Sequence, residues 1–332
     1  MAGTVIFTGA NSSLGIPAIS HLLENYLEHT LVLTVRDPSG ADVNTNRLRD
    51  VISQYPRAKA SIHQLDLASL SSVHNWAQNI ARDIEDNKYP PIKAIICAAY
   101  RWNFVRDPQP TADGLDETLQ ISHVSHVALI LRLIGKFSPG GGRILLFSSD
   151  THAPGGSVGE RYPPGIPQDL SLLAKPIVYE DRFGRGFQNY ANVKLVITCW
   201  MYALNRYLQK DAGLSNITAV AMNPGNLVDS RALQTNTPWW YPYMQRFVLQ
   251  PFLPLHRLRD PTMRTAALAG IDVTELALNQ AYVSERGFFT FLKKDQSSPE
   301  SQDEAKQEAL WSKSLEWARI MEGDTALKVA YE

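Results

Sequence analysis

Over its first 220 residues the chain alternates short apolar runs with amphipathic helical segments, and this rhythm restricts the fold more than any other feature. Residues 4–8 (TVIFT), 31–35 (LVLTV), 61–65 (SIHQL), 93–99 (KAIICAA), 143–149 (RILLFSS) and 216–222 (NITAVAM) read as buried strands. Between them, apolar residues recur at helical spacing, as in the face made by Ile19, Leu22, Leu23, Tyr26 and Leu27. Strand and helix in strict alternation imply right-handed crossovers and a parallel sheet covered on both sides. The expected architecture is α/β: one doubly wound domain over residues 1–332, with about seven parallel strands and ligands bound beyond their carboxyl ends. Residues 1–150 would form mainly its cofactor-binding half.

The first strand runs directly into TGANSSLG, residues 8–15. There Gly9 permits a tight turn, Gly15 permits close packing of helix on sheet, and N–H groups at the helix start can meet a pyrophosphate. Placed directly after the first strand, such a turn points to a bound dinucleotide. Asn11 and Ser12 also suit a helix start. Ser13 stands where another glycine is expected, so its hydroxyl must fit near the phosphates. The second strand ends in LTVRDP with no acidic residue at its tip. Arg36 offers a guanidinium to a 2′-phosphate, which favours NADP over NAD, while Asp37 keeps a ribose ligand open. Asp66 would accept from the adenine amino group or cap the next helix.

The pattern Tyr-x-x-x-Lys occurs three times. A proline follows Tyr55 and Tyr89, so the pairs with Lys59 and Lys93 read as loop residues leading into strands. The third pair, Tyr190 and Lys194, heads a helix marked by Val193, Ile197, Trp200 and Leu204. Helix geometry sets the lysine about 40° round from the tyrosine. Spacing leaves two readings: a catalytic acid with its assistant, or two polar residues on the rim of a core helix.

Taken in order, the glycine-rich turn, DLAS (66–69), RILLFSS and YANVK (190–194) resemble the short-chain dehydrogenase/reductase family over nearly the whole chain. DGLDETLQISHVSHVALI (113–130), SSDTH (148–152) and NPGNLVDS (223–230) are similar to its retinol-dehydrogenase and WW-domain-oxidoreductase branch, with some similarity to fungal 3-ketosteroid reductases. The resemblance implies a tetrad. Ser149 would hydrogen-bond a substrate carbonyl, Tyr190 would give it a proton, and Lys194 would bind the nicotinamide ribose and favour the tyrosinate. The resemblance also implies a cofactor cradle of Gly9, Asn11, Ser12, Ser13, Leu14, Gly15, Arg36, Asp66, Leu67, Ala98, Ala99, Tyr190, Lys194, Pro224, Gly225 and Leu227, with Asn223 helping to frame the nicotinamide. In two places the chain departs from the pattern. The tetrad's asparagine is Ser122, which lacks an amide's paired donor and acceptor. The strand-four asparagine is Cys97, ahead of Ala98 and Ala99.

Thirty-two basic and 33 acidic residues leave a net charge of −1, which offers no electrostatic footprint for nucleic acid or anionic membrane and points to small-molecule work. Cys97 and Cys199 lie in apolar runs and read as buried thiols of a reducing, cytoplasmic protein. No apolar run reaches membrane-spanning length. His123, His126 and His152 lack acidic partners at metal spacing, so no metal is expected. Ser149 lacks the Gly-x-Ser-x-Gly elbow of a hydrolase. Two segments break the rhythm. Residues 153–189 read as a long glycine- and proline-rich loop. Residues 226–261, with TPWWYPYMQRFVLQPFLPLHRL, read as a substrate lid, a core or homodimer contact, or a membrane-interface helix carrying Trp239, Trp240, Arg246, His256, Arg257 and Arg259. Near the C-terminus an amphipathic helix should dock through Leu310, Trp311, Leu315 and Trp317. The expected activity is an NADPH-dependent ketoreductase or alcohol dehydrogenase of a bulky apolar small molecule, with a role in secondary metabolism among the openings. Ser122 keeps open a non-redox cyclase, isomerase or dehydratase, and a nucleotide sensor with a silent site is the third reading.

Overall fold

All six apolar runs are strands in the computed structural model, which describes residues 2–331. They are β1 (Thr4–Thr8), β2 (Thr30–Val35), β3 (Lys59–Gln64), β4 (Ile92–Cys97), β5 (Gly142–Phe147) and β6 (Ile217–Asn223). β7 (Gly287–Thr290) adds a seventh parallel strand beside β6, and the two-residue β8 (Lys293–Lys294) turns back antiparallel at the edge. The sheet therefore has eight strands, in the order β8-β7-β6-β5-β4-β1-β2-β3. The eighth is too short to carry a period of its own, and pairing alone defines it.

Seven helices flank the sheet: α1 (Gly15–Asn25), α2 (Val43–Ser53), α3 (Leu70–Glu85), α4 (Glu117–Lys136), α5 (Arg182–Lys210), α6 (Ala266–Leu278) and α7 (Glu304–Ala318). Helices α1 and α6 pack so closely that a Cβ on Gly270 would lie 2.6 Å from the Ala18 nitrogen. On the opposite side α3, α4 and α5 bury the larger core. Helix α7 docks outside them as expected: Trp311 stacks on Trp200 with centroids 5.5 Å apart, and Ser314 hydrogen-bonds His123 at 2.8 Å. Such a stack adds about 1 kcal/mol beyond the area it buries. Helix α4 is long and apolar enough to cross a membrane, yet 83% of its apolar window is buried in the core.

The topology sets the site. From β1 the chain winds outward to β3, then returns to place β4 on the other side of β1, which opens a crevice beyond the carboxyl ends of β1 and β4. Gly9 follows β1 with φ +67°, and a Cβ there would meet the Ala99 Cα at 3.0 Å. Glycine at one strand end and small residues at the other are a single steric requirement.

Residues 153–189 are not loop throughout. Helix α5 starts at Arg182, because Asp181 accepts from the Gly184 N–H at 2.9 Å and closes its first turn. Gly186 extends the helix past the loop after β4, where a Cβ would lie 2.1 Å from the Asn103 carbonyl oxygen. Glycines that suggest a loop in sequence are here a cap partner and a point of close approach.

Candidate active site

Lys194 and Tyr190 lie one turn apart on α5. Lys194 is buried at 2% exposure, donates to the Phe147 carbonyl at 2.8 Å, and has its Nζ 5.1 Å from the Tyr100 ring and 5.4 Å from the Tyr190 ring. Burial pulls its ammonium down to about 7. Burial, then the neighbouring Tyr100 and Asp150, push the Tyr190 hydroxyl well above its ordinary value, against a hydrogen bond with Ser149. Tyr190 is thus held as a neutral phenol, the form that can donate a proton. Tyr55 and Tyr89 lie in loops leading into β3 and β4, as their prolines predict.

Ser149 follows β5 and caps the turn Asp150–His152. Its Oγ donates to Asp150 Oδ1 at 2.7 Å, and burial raises the Asp150 carboxyl. Asp150 is a site residue that the sequence reading missed; its adjacency to the serine was the available signal. His152 accepts from the Ser298 N–H through Nε2 at 2.9 Å, so its Nδ1 carries the proton and donates to the Ser149 carbonyl at 2.6 Å. Two elements far apart in sequence therefore fix the backbone of Ser149.

Ser122 sits in a wide π turn of α4, Gln120–Val124. Its hydroxyl accepts from the Arg101 N–H at 3.1 Å, which ties α4 to the loop after β4. The carbonyl freed by the wide turn accepts from His126 Nδ1 at 3.1 Å. His126 Nε2 then accepts from the Thr8 hydroxyl at 2.9 Å, and Thr8 Oγ1 accepts from the Ala99 N–H at 3.2 Å. A neutral histidine thus links the ends of β1 and β4 to α4, and burial holds it neutral by pulling it down to about 4.

Four rings surround that of Tyr190: Trp102 at 5.4 Å, Tyr100 at 6.2 Å, Phe104 at 6.4 Å and Phe187 at 6.5 Å. Phe183 and Tyr241 continue the cluster. The aromatic run at residues 100–104, directly after β4, was the unread signal for it. A cavity of about 480 Å³ lies on the opposite face of α5, lined by Asp116, Arg185, Asn189 and Asn192, and includes neither Ser149 nor Tyr190. Ser149 and Tyr190 are half-buried, outside that cavity.

At the glycine turn, Ser12 Oγ accepts from the Gly15 N–H at 2.9 Å, and a Cβ on Gly15 would lie 2.6 Å from the Ala10 carbonyl oxygen. Leu14 is buried at the helix start, and Asn11 reaches Thr45 of α2 at 3.0 Å. Ser13 Oγ accepts from the backbone N–H of Arg231 at 2.9 Å, while the Arg231 guanidinium donates to the Asn11 carbonyl at 2.6 Å. Burial and the nearby Arg47 lower Arg231 from its ordinary value, against an attraction to Asp42. Arg36, exposed after β2, together with Arg47 and Arg231, has no ion-pair partner among the described residues. Three unmatched guanidiniums around a turn that excludes side chains fit a phosphate-bearing dinucleotide.

Asp66 does not cap the following helix. Ser69 does, accepting from the Ser72 N–H at 3.3 Å, while Asp66 takes the Ala68 N–H at 2.9 Å, and the Leu67 carbonyl accepts from Ser125 at 2.6 Å. Asn223 accepts from the Gly225 N–H at 3.0 Å, which closes the turn through Pro224. Gly225 has φ +85°, and Leu227 continues in a two-residue ladder with Arg264. Cys97 and Cys199 are free and buried, and no metal-ligand cluster occurs among the described residues.

A family model described as the AcuH dehydrogenase domain matches residues 231–327. The dehydrogenase acuH of Aspergillus aculeatus is 51% identical over 28% of this chain and 94% of its own length. The NADPH-bound carbonyl reductase from chicken fatty liver shares the fold, with a TM-score of 0.56 and 17% identity over 89% of this chain and 99% of that one. The short-chain dehydrogenase iccH of Talaromyces variabilis is 30% identical over 98% of this chain and 98% of its own. Likeness of that degree along the full length establishes that the chain belongs to the short-chain dehydrogenase/reductase family.

Proposed function

We propose that the protein is an NADPH-dependent reductase, working also as the reverse alcohol dehydrogenase, on a ketone, aldehyde or secondary alcohol of a bulky apolar molecule. The observation that carries the reading is the grouping of half-buried Ser149 and Tyr190 with buried Lys194, the Tyr190 phenol being kept protonated. A nicotinamide dinucleotide bound along the glycine turn supplies or accepts the hydride. Gly9, Gly15 and the N–H groups after β1 receive its diphosphate, and Arg36, aided by Arg47 and Arg231, takes the 2′-phosphate. Pro224, Gly225 and Leu227 line the nicotinamide end.

The chain's own groups handle the substrate oxygen. Ser149, whose one hydroxyl proton rests on Asp150, would turn that proton to the substrate oxygen when it binds, while His152 holds the backbone of the serine in place. Tyr190 releases its proton to that oxygen, and Lys194 stabilises the phenolate that results. The rings of Tyr100, Trp102, Phe104 and Phe187 exclude water and favour an apolar substrate. Titration with NADPH and NADH, followed by a panel of bulky ketones, tests the reading. NADPH oxidation should be preferred and should collapse in Tyr190→Phe; tight NADPH binding without reduction of any carbonyl would remove the redox assignment.

A further inference from the structure

Residues 238–259 leave a row of large apolar side chains in solvent, where a surface helix ordinarily hides its apolar side. The segment runs through the short helical turns Tyr241–Met244, Gln245–Leu249 and Leu253–His256. Its inward side buries a polar side chain, Gln245, among half-buried Tyr241, Met244, Leu249 and Leu253. Gln245 is 1% exposed, donates to the Ser230 carbonyl at 2.8 Å and accepts from Gln234 at 2.8 Å. Its outward side is apolar: Trp239, Tyr243, Phe247, Phe252, Leu255 and Leu258 are all exposed, from 51% at Phe252 to 82% at Leu258. Their spacing of three to five residues places them along one stripe of a helical strap.

Charge on the strap is one-sided. From Ser230 to Arg259 there is no aspartate, glutamate or lysine, and Arg246, Arg257 and Arg259 are exposed beside the stripe. The first carboxylate beyond, Asp260, is turned onto Asn226 and Thr262 at 2.8 and 2.6 Å. The net charge of −1 for the whole chain conceals this segregation. A second copy of the chain would set arginine against arginine around the stripe. The site at Tyr190 is approached by Tyr241, near Phe183 at 6.3 Å, and not by the stripe.

We infer that residues 238–259 dock on the surface of an anionic lipid bilayer, the stripe entering the boundary of headgroups and acyl chains and the arginines meeting lipid phosphates. Apolar side chains outward, indole and phenol rings at the boundary and a cationic rim are the features such a surface selects. Just before the strap, the chain is joined to the loop after β4 through Trp102, whose indole donates to the Thr235 carbonyl at 3.0 Å, and through the Phe104 N–H to the Asn236 carbonyl at 2.9 Å. If the reductase reading also holds, docking lets an apolar substrate reach Tyr190 from the lipid. The docking itself does not depend on that reading.

The test is co-sedimentation of the full chain with vesicles of phosphatidylcholine alone and of phosphatidylcholine mixed with phosphatidylserine, at low and high salt, with indole fluorescence as a second readout. The expected result is binding to the mixed vesicles, weakened by salt, with a blue shift. Phe247→Glu and Leu258→Glu should abolish binding, and the double variant Arg257→Gln/Arg259→Gln should weaken it on the order of tenfold. Near-ultraviolet dichroism checks that each variant is folded, since all four side chains are exposed. Absence of binding to either vesicle overturns the inference. So does binding that survives both glutamate variants, or a dimer in sedimentation velocity that Leu258→Glu dissociates, which would give the face to a second copy.

Discussion

The glycine turn and the segment 226–261 that carries the strap meet at Arg231, yet they are specified in opposite ways. In the turn the backbone is the constraint: Gly9 needs a left-handed φ and Gly15 has no room for a side chain, so residue type and function coincide locally. In the strap any of several residues would fit the backbone, and what matters is which side each one faces. Gln245 is buried while Leu258 lies in solvent, an arrangement that hydropathy alone assigns the other way round. The lesson is that a site built from backbone geometry can be read from a sequence, whereas a site built from the orientation of a segment needs its neighbours.

Several experiments press on this comparison. The largest effect belongs to the well-specified side: Tyr190→Phe should lower the turnover number by roughly 100-fold or more while NADPH affinity is kept, measured by steady-state kinetics beside a fluorescence titration. If turnover persists, the α5 pair is a rim feature after all.

Acid stability comes next. His123 and His126 are pulled down by burial to about 3 and about 4, below the ordinary histidine value. Between pH 6.5 and 4 the unfolded chain therefore binds more protons than the native one, so stability falls as pH drops through that window and is fully present above it. The combined loss should reach a few kcal/mol, read by urea unfolding at several pH values. His126→Phe should flatten the slope, and an unchanged slope would mean that the link between Thr8 and Ser122 is not what carries it.

Arg231 tests the meeting of the two regions. Arg231→Met should weaken NADPH binding by about 10- to 100-fold, as loss of a charge-assisted contact to phosphate does. Titration with NADH divides the causes: an equal loss assigns Arg231 to the diphosphate, and a loss confined to NADPH assigns it to the 2′-phosphate beside Arg36. No change with either nucleotide would return Arg231 to the role of tying the strap to Ser13. The smallest effect is expected at His152, where exchange to Phe removes one hold on the Ser149 backbone. It should lower kcat severalfold, by about 1 kcal/mol, and spare KM for NADPH.

Much of the candidate site was legible because it follows strand ends. Ser149 after β5, the turn after β1, and Tyr190 and Lys194 on the helix after the long insertion each carry a local pattern, and the six runs declare the sheet that places them. Asp150 and the aromatic residues at 100–104 were in plain view but carry no period, and their role depends on what packs opposite. The start of α5 at Arg182 was hidden because Gly184 and Gly186 suggest loop until Asp181 and Asn103 are placed beside them.

By itself, then, the sequence determined the doubly wound sheet, the crevice at its switch point and the residue types gathered there, because burial period and backbone sterics act between near neighbours. Only the tertiary structure decided that Ser13 would hold Arg231 from 218 positions away, that Ser122 would serve the backbone of Arg101, and that the strap would turn its apolar stripe outward. Those outcomes depend on hydrogen bonds and packing between residues distant in the chain, and such contacts leave no periodic trace in the segments that make them.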